Sequence, residues 1–390
     1  MRLQKRVMST PIRFNEPYIT GNEIEYIKDV FRRGHFQGNG HYTRLCHELI
    51  GRELGGANVL LTDSCTSALE ISALLLRGDR PQSVVVPSYT FSTTASAFAR
   101  AGFEIEFADV NPDTMMLDPG DVRNRITETT VAVVAVHYGG HAAPLDELGS
   151  LCEERGLVMI EDAAQAFGCR SRGRPLGTFG RLGCFSFHET KNLHAGLGGA
   201  LVLNDTADLD RATHIWERGT NRQDVLKGVI DKYSWVEIGG SFYPTELQAA
   251  FLAAQLESIQ DNVTHRRELY DAYLTALAPI REAGRVNFPL HRSDFESNYH
   301  AFFVVFDSEA VCDAVRESLQ ALGIACYIGY VPLHSSKVGL AMGYRPEDLP
   351  ITEEYSKRLL RLPFHNGMQV GDARRVANEL IAALGDGDGV

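Results

Sequence analysis

The sequence predicts an α/β fold in which helices cover a mostly parallel central sheet, with a smaller α+β domain at the C-terminal end. The first observation behind this prediction is that short apolar segments of strand length alternate with helical patterns through most of the chain. The second is that these segments are apolar throughout, which is typical of parallel strands buried on both faces. The third is a change near residue 262 to an aromatic, β-branched strand followed by helices.

The individual elements follow from these patterns. In the first region, strands are predicted at Val84–Val86, Ile105–Val110, Val131–Val136, Leu157–Glu161, Cys184–Phe187 and Ala200–Leu203. Helices are predicted where Ile24, Ile27 and Phe31 recur at helical spacing, and at Thr66–Leu76, Thr93–Ala101, Leu145–Arg155 and Pro244 to about Gln260. In the second region, strands are predicted at Ala301–Phe306 and Ile324–Ile328, and helices near Ala310–Leu322, Thr352–Leu360 and Asp372–Leu384. The boundary between the two predicted domains, 1–262 and 263–390, falls near Asn262.

The composition is that of a globular protein with an acidic surface. Hydrophobic residues make up 44% of the chain and charged residues 23%, and the formal net charge is -12. The acidic balance argues against general nucleic-acid binding, which depends on Lys and Arg opposite phosphates. Apolar runs such as Val131–Val136 are too short to span a membrane, and the first 14 residues lack the apolar stretch of a secretory signal. We therefore expect a cytoplasmic protein with neither nucleic-acid nor membrane partners.

The seven cysteines indicate neither a zinc site nor a disulfide framework. They are scattered along the chain, and no C-x-x-C pair occurs. We interpret them as reduced thiols of a cytosolic protein, and we expect no metal site.

Two segments in the first half of the chain could form parts of a binding site. Ser64-Cys65-Thr66-Ser67 opens a predicted helix, where free N–H groups and hydroxyls bind anions. Ordinary helix capping would use the same residues. Glu161-Asp162 lies at the C-terminal end of a predicted strand, which is the edge at which α/β sheets bind ligands. An acid there could hold a cationic ring nitrogen or cap the next helix.

Two further segments lie close together near residue 190. A predicted strand delivers Ser186 and His188 on one side and then turns into Lys191. Taken alone, Lys191 could be a solvated loop lysine. His188 could order the loop or lie near the reacting atoms, and we favour the first role. The stretch Gly196-Leu197-Gly198-Gly199 matches no phosphate-binding fingerprint, so we expect it to let the backbone pass closely behind the lysine loop.

Together, these segments predict a site for pyridoxal phosphate. In order along the chain they supply a phosphate cradle, the carboxylate of Asp162 and the amine of Lys191. The lysine can form a Schiff base with the cofactor. The carboxylate can keep the ring nitrogen protonated, so that the ring can accept electrons from the reacting carbon.

Four motifs in the chain occur together, in this order, in one family of enzymes. They are Pro87-Ser88-Tyr89-Thr90-Phe91, Glu161-Asp162-Ala163-Ala164-Gln165, Ser186-Phe187-His188-Glu189-Thr190-Lys191-Asn192 and Leu247-Gln248-Ala249-Ala250. With them the sequence resembles the DegT/DnrJ/EryC1/StrS sugar aminotransferases, which are fold-type I pyridoxal phosphate enzymes. The resemblance runs from about Ile12 to Leu384. Within the family, Gly219–Arg222 and Tyr330–His334 are most similar to transaminases that form dTDP-4-amino-4,6-dideoxygalactose.

The resemblance implies a role for each matching residue. Lys191 matches the Schiff-base lysine and Asp162 the partner of the pyridine nitrogen, and these two are the predicted catalytic residues. The other implied cofactor contacts are Gln165 near the ring hydroxyl, Phe91 stacked on the ring, Cys65, Thr66 and Ser186 at the phosphate, and Ser241 at the phosphate of a neighbouring subunit. Two positions depart from the family, because many relatives carry asparagine at Ser241 and glutamate at Leu197.

The resemblance also implies a reaction and an assembly. The expected reaction moves an amino group from glutamate to carbon 4 of dTDP-4-keto-6-deoxyglucose, giving a dTDP-4-amino-4,6-dideoxyhexose. The expected assembly is a homodimer whose active sites are shared between chains. His137, Tyr138 and Tyr330 carry polar and aromatic groups that suit a sugar ring. The sequence identifies no arginine dedicated to the second carboxylate of a dicarboxylate substrate.

Three alternatives stay open at this point. The first is amino transfer to carbon 3 of a nucleotide sugar. The second is a sugar dehydratase, although such relatives replace the lysine with histidine and this chain has Lys191. The third is a regulator that binds pyridoxal phosphate without turnover.

Overall fold

The structure is a computed structural model that describes residues 10–226 and 228–385. Of the first 14 residues, in which the sequence analysis found no secretory signal, residues 1–9 lie outside the described residues. The described strands are β1 (Asn58–Thr62), β2 (Ser83–Pro87), β3 (Glu104–Ala108), β4 (Thr130–Val136), β5 (Val158–Asp162), β6 (Arg170–Ser171), β7 (Arg174–Pro175), β8 (Leu182–Ser186), β9 (Gly199–Leu203), β10 (Val286–Asn287), β11 (Phe295–Glu296), β12 (Phe303–Phe306), β13 (Tyr327–Ile328) and β14 (Leu359–Arg361). The described helices are α1 (Glu23–Arg33), α2 (His41–Glu53), α3 (Cys65–Leu76), α4 (Ser92–Arg100), α5 (Pro119–Arg125), α6 (Leu145–Arg155), α7 (Leu209–Trp216), α8 (Arg222–Leu226), α9 (Glu246–Leu256), α10 (Ile259–Glu282), α11 (Glu309–Ala321), α12 (Lys337–Ala341), α13 (Pro350–Arg358) and α14 (Val370–Leu384).

A seven-stranded sheet forms the centre of the larger part of the chain. Its strand order is β1-β9-β8-β5-β4-β2-β3. The run from β8 to β3 is parallel throughout, and only β9 runs antiparallel to its neighbours β8 and β1. The predicted α/β fold with a mostly parallel central sheet is therefore confirmed.

Alternate residues of each central strand pack on opposite faces of the sheet. On β4, Val133 and Ala135 join a cluster with helices α2, α6 and α9, while Ala132 and Val134 join a cluster with helices α3, α4 and α7. Both faces are thus covered by helices, which explains why these strands are apolar at consecutive positions.

A four-stranded sheet, β10-β12-β14-β13, forms the core of the C-terminal part together with α10, α11 and α14. Helix α10 is continuous through Asn262, where the sequence analysis set the domain boundary, and its later residues Leu269, Tyr273 and Leu277 pack in this second core. The division into domains at residue 262 stays a prediction. No helix among the described residues is long and apolar enough to cross a membrane.

Two predicted helix ends differ from the structure. The helix predicted from Pro244 to about Gln260 ends at Leu256, and α10 begins separately at Ile259. The helix predicted near Thr352–Leu360 ends at Arg358, because Leu359–Arg361 pairs as a strand between β12 and β13. The helix predicted from Ile24, Ile27 and Phe31 forms as α1, in which Ile24 and Phe31 are 59% and 63% exposed.

The glycines before β9 lie close to the lysine loop, as predicted, and also to the start of α3. The Gly198 carbonyl accepts from the Phe187 N–H at 2.8 Å, and the Gly196 carbonyl accepts from the Glu189 N–H at 2.9 Å. A Cβ at Gly199 would overlap the backbone of Ser64 and Cys65, where α3 begins. The main backbone approach at this strand is therefore to the start of α3. Gly198 instead faces the Cβ atoms of Ala195 and Phe187, at 3.3 and 3.4 Å from its own ideal Cβ position.

We predict that Gly199→Ala lowers the free energy of unfolding by about 1–3 kcal/mol, because the added methyl group must displace the start of α3. Gly149→Ala is the matched control, since Gly149 lies inside α6 with open space around its Cβ position. That change should leave stability unchanged or raise it by up to about 1 kcal/mol. Urea unfolding of both variants measures the difference, and equal midpoints would contradict the close approach.

Candidate active site

A cavity of roughly 530 Å³ lies at the carboxyl ends of the central strands, the edge at which α/β sheets bind ligands. Residues at or just after the ends of β1, β2, β4, β5 and β8 line one side of it, and residues of the C-terminal part line the other. Of the residues assigned from the sequence, the lining includes Cys65, Thr66, Phe91, His137, Asp162, Gln165, Ser186, Lys191 and Tyr330. Tyr138 and Ser241 are not part of it.

The start of α3 provides an anion site on one wall. Ser64 caps the helix, and its hydroxyl accepts a hydrogen bond from the Ser67 N–H at 3.1 Å. The N–H groups of Cys65 and Thr66 have no acceptor among the described residues and lie at the positive end of the helix dipole. Ser186, at the end of β8, lines the same cavity. This wall can bind a phosphate group.

Asp162 is the last residue of β5 and is buried. Its Oδ2 accepts a hydrogen bond from Thr94 Oγ1 at 2.8 Å, and its Oδ1 accepts one from the Ala164 N–H at 3.1 Å. Burial raises the pKa of Asp162, and these two hydrogen bonds oppose that effect. Each oxygen keeps a further lone pair, so the carboxylate can accept a hydrogen bond from a cationic ring nitrogen.

Lys191 follows β8 in a turn in which its own N–H donates to the His188 carbonyl at 2.8 Å. Burial lowers the pKa of Lys191 to about 8, and the positive charge of Arg361 acts in the same direction. Cys65 and Asp162 oppose this shift. A sizeable fraction of the amine is therefore neutral near physiological pH, as a nucleophilic lysine requires.

Gln165 and Tyr330 form a hydrogen-bonded pair in the cavity lining. The Gln165 side chain accepts from the Gly139 N–H at 2.7 Å and donates to the Tyr330 hydroxyl at 2.9 Å. The Tyr330 hydroxyl thus keeps its own hydrogen for a ligand. Phe91 lies 6.4 Å from the Tyr330 ring between centroids and is 57% exposed, so its ring is free to stack on a bound group.

His137 is part of the cavity lining, and Tyr138 lies behind it. The ring of His137 is fully buried, its Nδ1 accepts from the Ala143 N–H, and its Nε2 donates to Glu161, both at 3.0 Å. Tyr138 is buried against Tyr330, and its hydroxyl bonds that of Tyr89 at 3.2 Å. The polar atoms of both side chains are engaged with protein groups, so this geometry gives no support to the direct sugar contacts predicted for them.

The structure also shows the surroundings of Ser241 and His188. Ser241 is exposed and pairs with Glu217 in an isolated β-bridge, away from the cavity of its own chain. The Nδ1 of His188 accepts from the Thr190 N–H at 3.3 Å and lies 3.0 Å from the Thr190 hydroxyl. These bonds lie within the lysine loop, the location that a loop-ordering role requires.

The sequence analysis missed the groups that the C-terminal part brings to the cavity. These groups are His300 and Arg361, joined by Phe14 from the N-terminal segment. Arg361 was missed because residues 352–360 were read as one helix, whereas β14 carries Arg361 to the cavity wall. Arg361 is therefore an arginine of the cavity that the sequence analysis did not identify, and the absence of an arginine dedicated to the second carboxylate of a dicarboxylate substrate stays a prediction. The signal available in the sequence was Pro363, which lies two residues after Arg361 and is incompatible with a helix that continues through Leu359-Leu360-Arg361.

The walls fit pyridoxal phosphate in three separate ways. The start of α3 has free N–H groups for the phosphate, Asp162 has free lone pairs for the ring nitrogen, and Lys191 has a lowered pKa. No cluster of three or more His, Cys, Asp or Glu side chains suited to a metal ion occurs in the described ranges.

Comparison with known proteins identifies one family over nearly the whole chain. Residues 17–381 match the DegT/DnrJ/EryC1/StrS aminotransferase family. Members of this family depend on pyridoxal phosphate.

Individual relatives are similar over much of their length. The dTDP-4-dehydro-2,3,6-trideoxy-D-glucose 4-aminotransferase of Saccharopolyspora spinosa is 29% identical over 96% of this chain and 97% of its own. A pleiotropic regulatory protein of Geobacillus stearothermophilus is 32% identical over 72% of each chain. Among solved structures, the aminotransferase TlmJ from Streptoalloteichus hindustanus superposes with a TM-score of 0.88 at 28% identity, over 96% of this chain and 99% of the other.

We predict that the Lys191 amine of the cofactor-free protein reacts with an amine-directed reagent with a midpoint near pH 8. Only the neutral amine attacks, so the rate rises with pH and levels off above the pKa, which burial lowers from 10.5 to about 8. Asp162→Asn should move the midpoint lower, because the Asp162 charge raises the Lys191 pKa. Mass spectrometry of the labelled peptide gives the rate, with Lys191→Ala as background. A midpoint near 10.5 would contradict the burial of the amine.

Proposed function

The chain belongs to the DegT/DnrJ/EryC1/StrS aminotransferase family, and we propose that it transfers an amino group from glutamate to carbon 4 of dTDP-4-keto-6-deoxyglucose. The product is a dTDP-4-amino-4,6-dideoxyhexose. One observation carries the proposal: Lys191, Asp162 and the start of α3 face a single cavity that is large enough for a cofactor and a sugar. The Saccharopolyspora spinosa relative supports the nucleotide sugar and the position, since its own name is that of a dTDP-sugar 4-aminotransferase.

Different residues of this chain would hold different parts of the cofactor. Cys65, Thr66 and Ser186 would bind the cofactor phosphate, and Asp162 would hold the protonated ring nitrogen. Pyridoxal phosphate, when bound, supplies the electron sink that allows the amino-bearing carbon to lose its proton. Gln165 orients the Tyr330 hydroxyl toward the cavity.

Lys191 acts as the proton-transfer group. Its amine has a pKa of about 8, which places its two protonation states close in energy near neutral pH. The amine can therefore take a proton from the carbon of glutamate that carries the amino group and return it to another carbon. In the second half of the reaction the same amine delivers a proton to carbon 4 of the sugar.

The remaining cavity wall suits a deoxysugar. Apolar side chains line it at Phe14, Phe91, Leu197, Leu362 and Phe364. Such a wall packs against a methyl group, whereas the hydroxyl of Tyr330 can bond a sugar hydroxyl. A methyl-sized apolar contact contributes only about 1–3 kcal/mol, so we expect modest discrimination against 6-hydroxy sugars.

One alternative is a regulator that binds pyridoxal phosphate without turnover, because the Geobacillus stearothermophilus relative is named a pleiotropic regulatory protein. A regulator without turnover has no need of a lysine with a lowered pKa beside a buried carboxylate, and this site has both. The same lysine argues against the dehydratase alternative. Amino transfer to carbon 3 of the sugar would use the same cofactor-binding residues. It differs from transfer to carbon 4 only in which sugar carbon lies next to Lys191.

We also propose that the chain works as a homodimer with shared active sites. Five large apolar side chains between residues 229 and 238 are exposed, and Trp235 is 76% exposed. An apolar surface of this kind marks an interface in proteins that assemble. Ser241 lies three residues beyond this segment, which suits its implied contact with the cofactor phosphate of a partner chain.

We predict a preference for the sugar over an oxo-acid acceptor. With glutamate as donor, kcat/KM for dTDP-4-keto-6-deoxyglucose should exceed that of the aspartate and 2-oxoglutarate pair by at least tenfold. The product is determined by NMR, which separates amination at carbon 4 from amination at carbon 3. Preference for the oxo-acid pair would leave a general aminotransferase, and no turnover with any acceptor would favour the regulator.

We predict that Trp235→Asp converts the dimer into monomers with less than about a tenth of the activity, because a buried charge without a partner destabilises an interface. Light scattering measures the mass, which should be twice 43.1 kDa for the unchanged protein. Val338→Asp is a suitable control, since Val338 is also exposed but lies in α12. Full activity of the unchanged protein as a monomer would overturn the shared-site proposal.

A further inference from the structure

His300 presents an unused hydrogen-bonding nitrogen to the cavity. It lies between β11 and β12, is buried, and lines the cavity together with Lys191. Its Nδ1 lies 2.9 Å from Asn192 Oδ1. Its Nε2 forms no hydrogen bond with the described residues and is not enclosed by them. The free nitrogen is therefore on the cavity side of the ring.

The bonds of Asn192 fix which nitrogen of His300 carries the hydrogen. Asn192 directly follows Lys191, and its Nδ2 donates to the Asn298 carbonyl at 2.6 Å. The opposite orientation of this amide would place its oxygen against that carbonyl oxygen, so Oδ1 is the atom that faces His300. An amide oxygen can only accept, so the Nδ1 of His300 is the donor and its Nε2 keeps a lone pair.

The segment that carries His300 is anchored on both sides and is strained between the anchors. The Asn298 side chain donates to the Gln165 carbonyl at 3.0 Å. Arg266 donates to the carbonyls of Tyr299 and His300 at 2.8 and 2.6 Å. Tyr299 has a φ of 51°, in the left-handed region that a bulky side chain rarely adopts. Such strain persists where the surroundings over-determine it, and it is frequent at functional sites.

The charges around His300 indicate that the Lys191 amine is a near neighbour. Burial lowers the pKa of His300 well below its usual range, so the ring is neutral near physiological pH. The positive charge of Lys191 lowers this pKa more than that of Arg266 does, although Arg266 bonds the His300 carbonyl. Arg361 contributes less than either. The lone pair of Nε2 thus lies within the electrostatic reach of the amine.

Few of the groups that meet in this cavity can donate a hydrogen to Nε2. A carboxylate and a keto oxygen offer only lone pairs, which the lone pair of Nε2 repels. A sugar hydroxyl offers one hydrogen, but only in the second half of the reaction. The amine of Lys191 is present in both halves. One N–H bond to an acceptor fixes the direction of a neutral amine and leaves the lone pair of the amine free.

We propose that His300, oriented by Asn192, accepts a hydrogen bond from the free amine of Lys191 and so positions this amine for proton transfer. The proposal rests on the proposed function, in which the amine moves a proton in both halves of the reaction. His300 takes up no proton itself, so it is a positioning residue. It holds one N–H of the amine, whose lone pair then points to the carbon that loses its proton.

The two halves of the reaction test the proposal in the cofactor-loaded enzyme. Stopped-flow absorbance follows the conversion of the bound cofactor by L-glutamate and its return by dTDP-4-keto-6-deoxyglucose. In His300→Leu, both maximal rates should fall roughly 10- to 100-fold, the effect of losing a hydrogen bond to a charged group. The concentrations for half-maximal rate should change less than about threefold, because neither substrate loses a contact. His300→Gln keeps an acceptor oxygen and should regain part of the rate in both halves.

His365→Leu is the matched control. His365 is also a buried histidine of the C-terminal part, but its ring donates to the Arg13 carbonyl and does not line the cavity. Both of its rates should stay within about threefold of those of the unchanged enzyme. Slowing of the sugar half alone in His300→Leu would assign His300 to a sugar hydroxyl, and slowing of the glutamate half alone would assign it to the donor. Either result would overturn the proposal, as would unchanged rates.

Labelling of the Lys191 amine in the cofactor-free protein provides a readout that is independent of activity. Burial and the charge of Arg361 lower the pKa of this amine to about 8, whereas Cys65 and Asp162 oppose the shift. An acceptor favours the charged amine, so its loss in His300→Leu should lower the labelling midpoint by about half a pH unit or more. An unchanged midpoint, or a rise caused by water entering a loosened site, would overturn the proposal. If no substrate converts the unchanged enzyme, the proposed function fails, whereas the direction of this shift still decides whether His300 holds the amine.

Discussion

The parallel pairing of β5 with β8 is the interaction on which the site depends. Asp162 pairs with Cys184, and the Ala163 N–H extends the ladder by donating to the Cys184 carbonyl at 2.8 Å. Because buried backbone groups must be paired, this register is costly to change. It places the end of β5, with its carboxylate, beside the strand that leads to Ser186 and Lys191. A slip of one residue would turn Asp162 to the other face of the sheet.

Glu161 stabilises the loops around the end of β5. Its fully buried carboxylate accepts hydrogen bonds from the N–H groups of Gly177 and Gly180, both at 2.7 Å, and from His137. It thereby ties the end of β5 to the turn before β8 and to the loop after β4. The two adjacent acids thus have different duties that follow from the strand geometry, since successive side chains point to opposite faces. Glu161 holds loops together, and Asp162 faces the cavity.

The cavity has two sides of different construction. The cofactor side is built on strand ends and the first turn of α3, which the hydrogen-bonded ladder holds rigidly. The opposite side is built from Tyr330, Arg361 and the N-terminal Phe14, which lie far apart in the chain. Asn298 and His300 of the C-terminal part bond Asn192, next to Lys191, so this part contributes to the partial burial of the lysine.

The sequence by itself determined the α/β class, most of the central strands and the pairing of Asp162 with Lys191 as parts of one site. It could do so because strands buried on both faces are apolar throughout, and because the cofactor side is made from short motifs. The tertiary structure alone decided which protein groups bond His137 and Tyr138 and that Arg361 lines the cavity. Whether a polar side chain faces a ligand or a protein partner depends on neighbours that are distant in the chain. Arg361 shows this most clearly, because a three-residue strand paired with β12 and β13 overrode a helical pattern and carried its charge into the cavity.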